Sequence, residues 1–148
     1  REFRFVCGTS MGGFGSGWHA TVQPELFRAS FPYIGFLGSQ VEDFINIWKS
    51  LVYEENGSYT EISYDAGINT KLFLTMGGMQ SPNLNLPNYI EIPWDSEGEL
   101  VDSVVAKWSN TAANNVKNIT TDSYLTFFLG CGTQDYMGTY EGYLDFMD

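Results

Sequence analysis

The stretch Phe3-Arg4-Phe5-Val6-Cys7-Gly8-Thr9-Ser10-Met11-Gly12-Gly13 joins a short apolar β-type run to a Gly-x-Ser-x-Gly turn, and a helix-length segment follows. This order puts a serine on a tight strand-to-helix corner with its hydroxyl pointing out of the sheet. Gly8 and Gly12 carry no Cβ, so the strained backbone and the close approach of helix to strand are expected to depend on them. The N–H of Met11 opens the helix and points to where a developing oxyanion would sit. Ser10 is therefore the candidate nucleophile, with a serine in a plain glycine turn as the alternative.

From that corner the chain alternates β-type and helical patterns. Residues 3–7 are expected as a strand and 12–23 as a helix in which Gly13, Gly15 and Gly17 mark close packing. Phe31–Ser39 is expected as the next strand, with Pro32 near its start. Apolar residues at Val41, Phe44, Ile45, Trp48, Leu51 and Val52 fit an amphipathic helix over 41–53. A short element near 71–76 then precedes a long loop through Pro82, Pro87 and Pro93. Residues 99–119 are expected to be helical with a break near 109–112. Tyr124–Cys131 is expected as a second buried strand, and 140–147 as a closing helix. The alternation predicts an α/β fold with a parallel sheet and flanking helices, whose active groups gather beyond the carboxyl ends of the strands.

Asp135 follows the last apolar run at such an end. A carboxylate there is able to orient a histidine and stabilise its cation; a simple turn aspartate is the alternative. If Ser10 and Asp135 share one histidine, their oxygens should lie roughly 6–9 Å apart on the same sheet edge, from two bonds of about 2.6–3.2 Å and the ring between them. The one histidine, His19, lies nine positions beyond Ser10, and a helix carries it away at about 1.5 Å per residue. His19 is thus expected to be structural, and the base to lie outside these residues. Phe14 and Trp18 stand near the corner, but at helical spacing they fit a core role equally.

The 148 residues suffice for one packed domain, with 43% hydrophobic residues to fill it. A net charge of −11 and the lack of a basic cluster disfavour nucleic-acid binding. No apolar run reaches the roughly 18 residues a membrane helix needs. Cys7 and Cys131 make neither a disulfide framework nor a metal set, and are expected as unbridged, buried thiols. The Asn-x-Ser/Thr sequences at Asn56 and Asn118 matter only in a secreted eukaryotic protein.

The residues Arg1 to Gly13 resemble the strand and elbow of an esterase family of α/β-hydrolases that includes S-formylglutathione hydrolases, feruloyl esterases and mycolyltransferases. Pro24-Glu25-Leu26-Phe27 is similar to the end of that family's elbow helix. Ser81-Pro82-Asn83, Ile92-Pro93-Trp94-Asp95, Gly98-Glu99-Leu100 and Trp108 resemble a loop-and-helix stretch of one branch. Phe128 to Asp135 resembles the strand that delivers the triad acid. The resemblance implies a partial α/β-hydrolase fold over 1–148, cut at both ends: the family's preceding strands and its later Gly-Gly-His-type segment are not in the sequence. It implies a serine carboxylesterase acting on a small-molecule or carbohydrate acyl ester. Ser10 would be the nucleophile, Met11 an oxyanion-hole N–H and Asp135 the triad acid, with no metal or cofactor. A non-catalytic carbohydrate- or protein-binding relative, or an acyltransferase with the same site, are the alternatives.

Overall fold

A computed structural model describes residues 4–120, 125–135 and 137–148. Along the chain run β1 (Phe5–Thr9), α1 (Met11–Val22), β2 (Ala29–Tyr33), α2 (Val41–Asn56), α3 (Ile68–Gln80), α4 (Asp102–Trp108), α5 (Ala112–Val116), β3 (Thr126–Phe127) and α6 (Thr139–Met147), with a 3-10 turn at Pro24–Leu26 between α1 and β2. The three strands form one parallel sheet in the order β1-β2-β3, an α/β arrangement. The chain divides into two compact units, residues 1–40 with 110–148, and residues 41–109.

In the first unit, α1 lies along the sheet on a face of small buried residues: Gly13, Ser16, Gly17, Ala20 and Thr21. β2 meets it with Ser30, whose hydroxyl donates to the Ser16 carbonyl at 3.1 Å. At the corner the contact is backbone on backbone. A Cβ on Gly13 would come within 2.6 Å of the Tyr33 carbonyl oxygen. A Cβ on Gly35 would run into the Phe14 nitrogen, and one on Gly8 into the Gly12 carbonyl. Gly12 itself would place a Cβ in open space, so the sequence expectation that it is needed for close approach is corrected. Gly13 and Gly35 carry that role together with Gly8.

β2 begins two residues earlier than its aromatic run suggests, and of its first two residues Ser30 is the one that faces α1. It ends at Tyr33, where Ile34 takes a φ of 53°. β3 is shorter than the apolar run 124–131 implies (Tyr124 lies outside the described residues), and Pro32 explains why. Arg28, Ser30 and Ile34 turn their polar backbone toward β3, with bonds from Thr126 N–H to Arg28 O (3.2 Å), Phe128 N–H to Ser30 O (2.9 Å) and Ile34 N–H to Gly130 O (3.0 Å). Pro32 stands in the same row and has no N–H to give, so the ladder lapses there. It resumes as a single bridge between Tyr33 and Gly130.

Alternation then sorts the sheet's side chains. One face carries Phe5, Phe31, Tyr33 and Phe128, which are 67%, 45%, 42% and 59% exposed, so this face is uncovered. Cys7 shares that face and is exposed, while Cys131 is half-buried; the expected burial of both thiols does not hold. Both are free, and β2 lies between the two strands that lead to them.

The second unit packs around stacked rings. Phe73 of α3 lies 4.7 Å from Trp94 and 5.6 Å from Trp108, centroid to centroid. Each indole finds an acceptor, Trp94 at the Tyr59 carbonyl (2.8 Å) and Trp108 at the Ser81 hydroxyl (3.1 Å). The loop through the three prolines is pinned by bridges between Pro82 and Ile90 and between Trp94 and Leu100. Helix α3 runs longer than expected because Gly77 is a packing glycine: a Cβ there would come within 2.5 Å of the Ile90 side chain. Its N-terminus is capped from α2. Glu55 accepts the Asn69 N–H at 3.1 Å, the Thr70 N–H at 2.7 Å and the Thr70 hydroxyl at 2.7 Å. Burial pushes the Glu55 carboxyl upward, but these bonds outweigh it and hold its pKa below the usual range.

Gly35→Ala should lower stability by about 3 kcal/mol, whereas Gly15→Ala, which meets open space in the same region of α1, should raise it by roughly 0.5–1 kcal/mol; urea midpoints decide. Because folding depresses the Glu55 pKa, its contribution is complete above the unfolded value near about pH 4.3 and fades as pH falls through the folded value. Glu55→Ala should cost about 1 kcal/mol at pH 7, and the deficit against wild type should shrink in urea melts below pH 4.

Candidate functional site

Ser10 occupies the corner between β1 and α1, at φ 56° and ψ −120°, and is exposed. L-residues rarely adopt this conformation, and holding one there costs about 1–3 kcal/mol. Two backbone bonds fix it: Ser10 N–H to the Tyr33 carbonyl (2.9 Å) and Phe14 N–H to the Ser10 carbonyl (3.0 Å). The Ser10 side chain does not cap its own helix. The N–H groups of Met11, Gly12 and Gly13 have no carbonyl four residues back within the helix. Met11 is 39% exposed. The corner thus combines an exposed serine, a strained backbone and helix-start donors without an intrahelical carbonyl.

Next to it stands a second strained residue that sequence reasoning did not single out. Ile34 at φ 53° is β-branched, and such residues seldom enter the left-handed region. The strain turns the chain so that Gly35 can lie against α1. The signal was present as the pair Ile34-Gly35 just after an apolar run, but it reads equally as a continuing strand.

Asp135 lies in the segment that leaves the same, carboxyl edge of the sheet after Gly130, in the turn that enters α6. It is half-buried, and one carboxylate oxygen accepts the Thr139 N–H at 2.6 Å, a charge-assisted bond at the start of α6. Its other oxygen has no hydrogen-bond partner among the described residues. Cys131 lies nearby, with its sulfur 3.2 Å from the Thr139 hydroxyl.

His19 sits in the last turn of α1, exposed, with its ring edge-on to Trp18 at 5.0 Å. Nine residues of helix separate it from Ser10 by roughly 13 Å along the axis. Trp18 is tied down by its indole N–H, which donates to the Asn110 side chain at 3.0 Å. Among the described residues no group of three or more His, Cys, Asp or Glu is arranged to hold a metal ion, and no helix is long and apolar enough to cross a membrane.

Compared with family models, with curated proteins and with solved structures, the chain finds no match.

The corner's strain has a measurable consequence. Ser10→Gly, which adopts φ 56° freely, should stabilise the chain by about 1 kcal/mol, while Ser10→Ala should stay near wild type; thermal or urea unfolding distinguishes them.

Proposed function

We propose that the chain carries the nucleophile and acid of a serine carboxylesterase with an α/β-hydrolase fold. The observation that carries this reading is the conformation of Ser10, an exposed serine held at φ 56° and ψ −120° between a parallel strand and a helix. Such strain at a corner has a use when it presents a hydroxyl for attack.

In the reaction the Ser10 hydroxyl oxygen attacks the ester carbonyl carbon while a histidine outside these 148 residues takes its proton. The Met11 N–H donates to the oxyanion of the tetrahedral intermediate. The intermediate collapses, the alcohol leaves with the proton from the histidine, and an acyl-Ser10 remains. Water, deprotonated by the same histidine, then releases the acid. Asp135 accepts the other ring N–H and stabilises the imidazolium. The acyl esters of small alcohols or of carbohydrates are the substrate class, by resemblance. Transfer of the acyl group to an acceptor other than water would use the same groups.

One observation favours a second role for Asp135. Its bond to the Thr139 N–H is what a helix-capping aspartate makes, and a non-catalytic relative would keep it for that alone.

Hydrolysis of an aryl ester by the protein carrying its histidine separates these readings. Ser10→Ala should abolish turnover. Asp135→Asn, which leaves an oxygen to cap α6, should reduce kcat by about 10³–10⁴-fold. Full activity in Asp135→Asn would reduce Asp135 to a cap, and Ser10-independent turnover would remove the esterase reading.

A further inference from the structure

Tyr143 is a buried polar group that the proposed reaction leaves unused. It lies on α6, is 4% exposed, and packs with Leu37 and Ala112. Its hydroxyl donates to the Pro32 carbonyl at 2.8 Å and accepts the Gly35 N–H at 3.1 Å. Burial raises its pKa above the ordinary phenol value, so the hydroxyl keeps its proton and remains a donor.

The two partners are the two ends of one turn. The Pro32 carbonyl is free to accept because the β2–β3 ladder lapses at the proline. The Gly35 N–H belongs to the residue pressed against the start of α1. Between them the Tyr33 carbonyl accepts the Ser10 N–H, and Ile34 holds its left-handed conformation. At its other end, α6 starts on the Asp135 carboxylate. One helix therefore touches the candidate acid at its first turn and the support of the candidate nucleophile one turn later.

We propose that Tyr143 is a positioning residue: its hydroxyl bridges Pro32 and Gly35, and so holds the Ser10 corner in fixed register with the helix that Asp135 caps. The catalytic half of this inference rests on the reading of Ser10 and Asp135 given above; the structural half does not. A second tether of α6 serves as the control. The Asp145 carboxylate accepts from the Ser39 N–H and hydroxyl, away from the Ser10 corner.

Tyr143→Phe keeps the ring and removes only the bridge; Ser39→Ala weakens the control tether. Amide hydrogen exchange on the 148-residue chain reads the corner directly. In Tyr143→Phe the Ser10 and Ile34 amides should exchange at least about ten-fold faster, with the Val6 and Cys7 amides unchanged, and Ser39→Ala should leave Ser10 protected. Unchanged Ser10 protection in Tyr143→Phe overturns the proposal. Should that variant not fold, the same comparison is made in Pro32→Ala, which returns an N–H to the ladder. The Tyr-to-Phe difference should persist there, because Gly35 N–H has no other partner among the described residues; its absence overturns the proposal equally.

The protein carrying its histidine adds the functional readout. Per titrated Ser10, Tyr143→Phe should lower kcat about ten-fold with KM unchanged, whereas Ser39→Ala should leave kcat per site at the wild-type value. An unchanged kcat per site in Tyr143→Phe would overturn the positioning role. Absence of Ser10-dependent turnover in wild type would instead remove the esterase reading, and the exchange data would still decide whether the bridge holds the corner.

Discussion

The contact on which the first unit depends is the backbone crossing of α1 over the turn that ends β2. Gly13 and Gly35 meet there without side chains, and the Tyr33 carbonyl between them takes the Ser10 N–H. A methyl group on either glycine would push the two segments apart. The crossing brings the helix start close enough to the sheet for Ser10 to span the gap in a single strained residue. Strain at Ser10 and Ile34 is the cost of that closeness, and it persists because packing on both sides over-determines the turn.

The same crossing explains why the sheet looks as it does. Pro32 interrupts the ladder beside the turn, and its carbonyl is satisfied by a side chain instead of a strand. A buried carbonyl without a partner would be costly, so the Tyr143 hydroxyl is part of the sheet's hydrogen bonding although it comes from a helix. The covered face of the sheet carries Val6, Gly8, Ser30, Pro32 and Phe127, with the Phe127 ring edge-on to Phe146 of α6 at 4.9 Å. The opposite face carries Phe5, Phe31, Tyr33 and Phe128 in the open. Parallel sheets ordinarily bury both faces, and this one leaves four aromatic rings exposed on one of them.

Much of this was legible in the sequence where one local rule governs. The apolar run before Gly8, the corner at Ser10 and the helix after it are set by glycine and strand chemistry within a dozen residues. Helix α2 is set by its apolar spacing, and the break between α4 and α5 appears where expected. What was not legible is long-range. Ala29 and Ser30 join β2 through distant partners, Ala29 in register with Phe5 and Ser30 bonded to the Ser16 carbonyl of α1. The run 125–131 reads as a strand until Pro32, almost a hundred positions earlier, withholds its N–H. The element expected near 71–76 runs on through Gly77, which is helical and packs so that Ile90 fills the space a side chain would take. For the candidate site, Ser10 and Asp135 were legible from their neighbours, whereas Tyr143 carries no local signal that it reaches back to Pro32 and Gly35.

On the proposed reading, the strained corner presents Ser10 as a nucleophile. Reaction of the protein carrying its histidine with a fluorophosphonate, followed by intact mass and peptide mapping, tests it most directly. One covalent adduct per chain is expected, located on Ser10 and lost in Ser10→Ala. A natively folded protein that takes up no adduct, or takes it up at another residue with Ser10 unmodified, would contradict it.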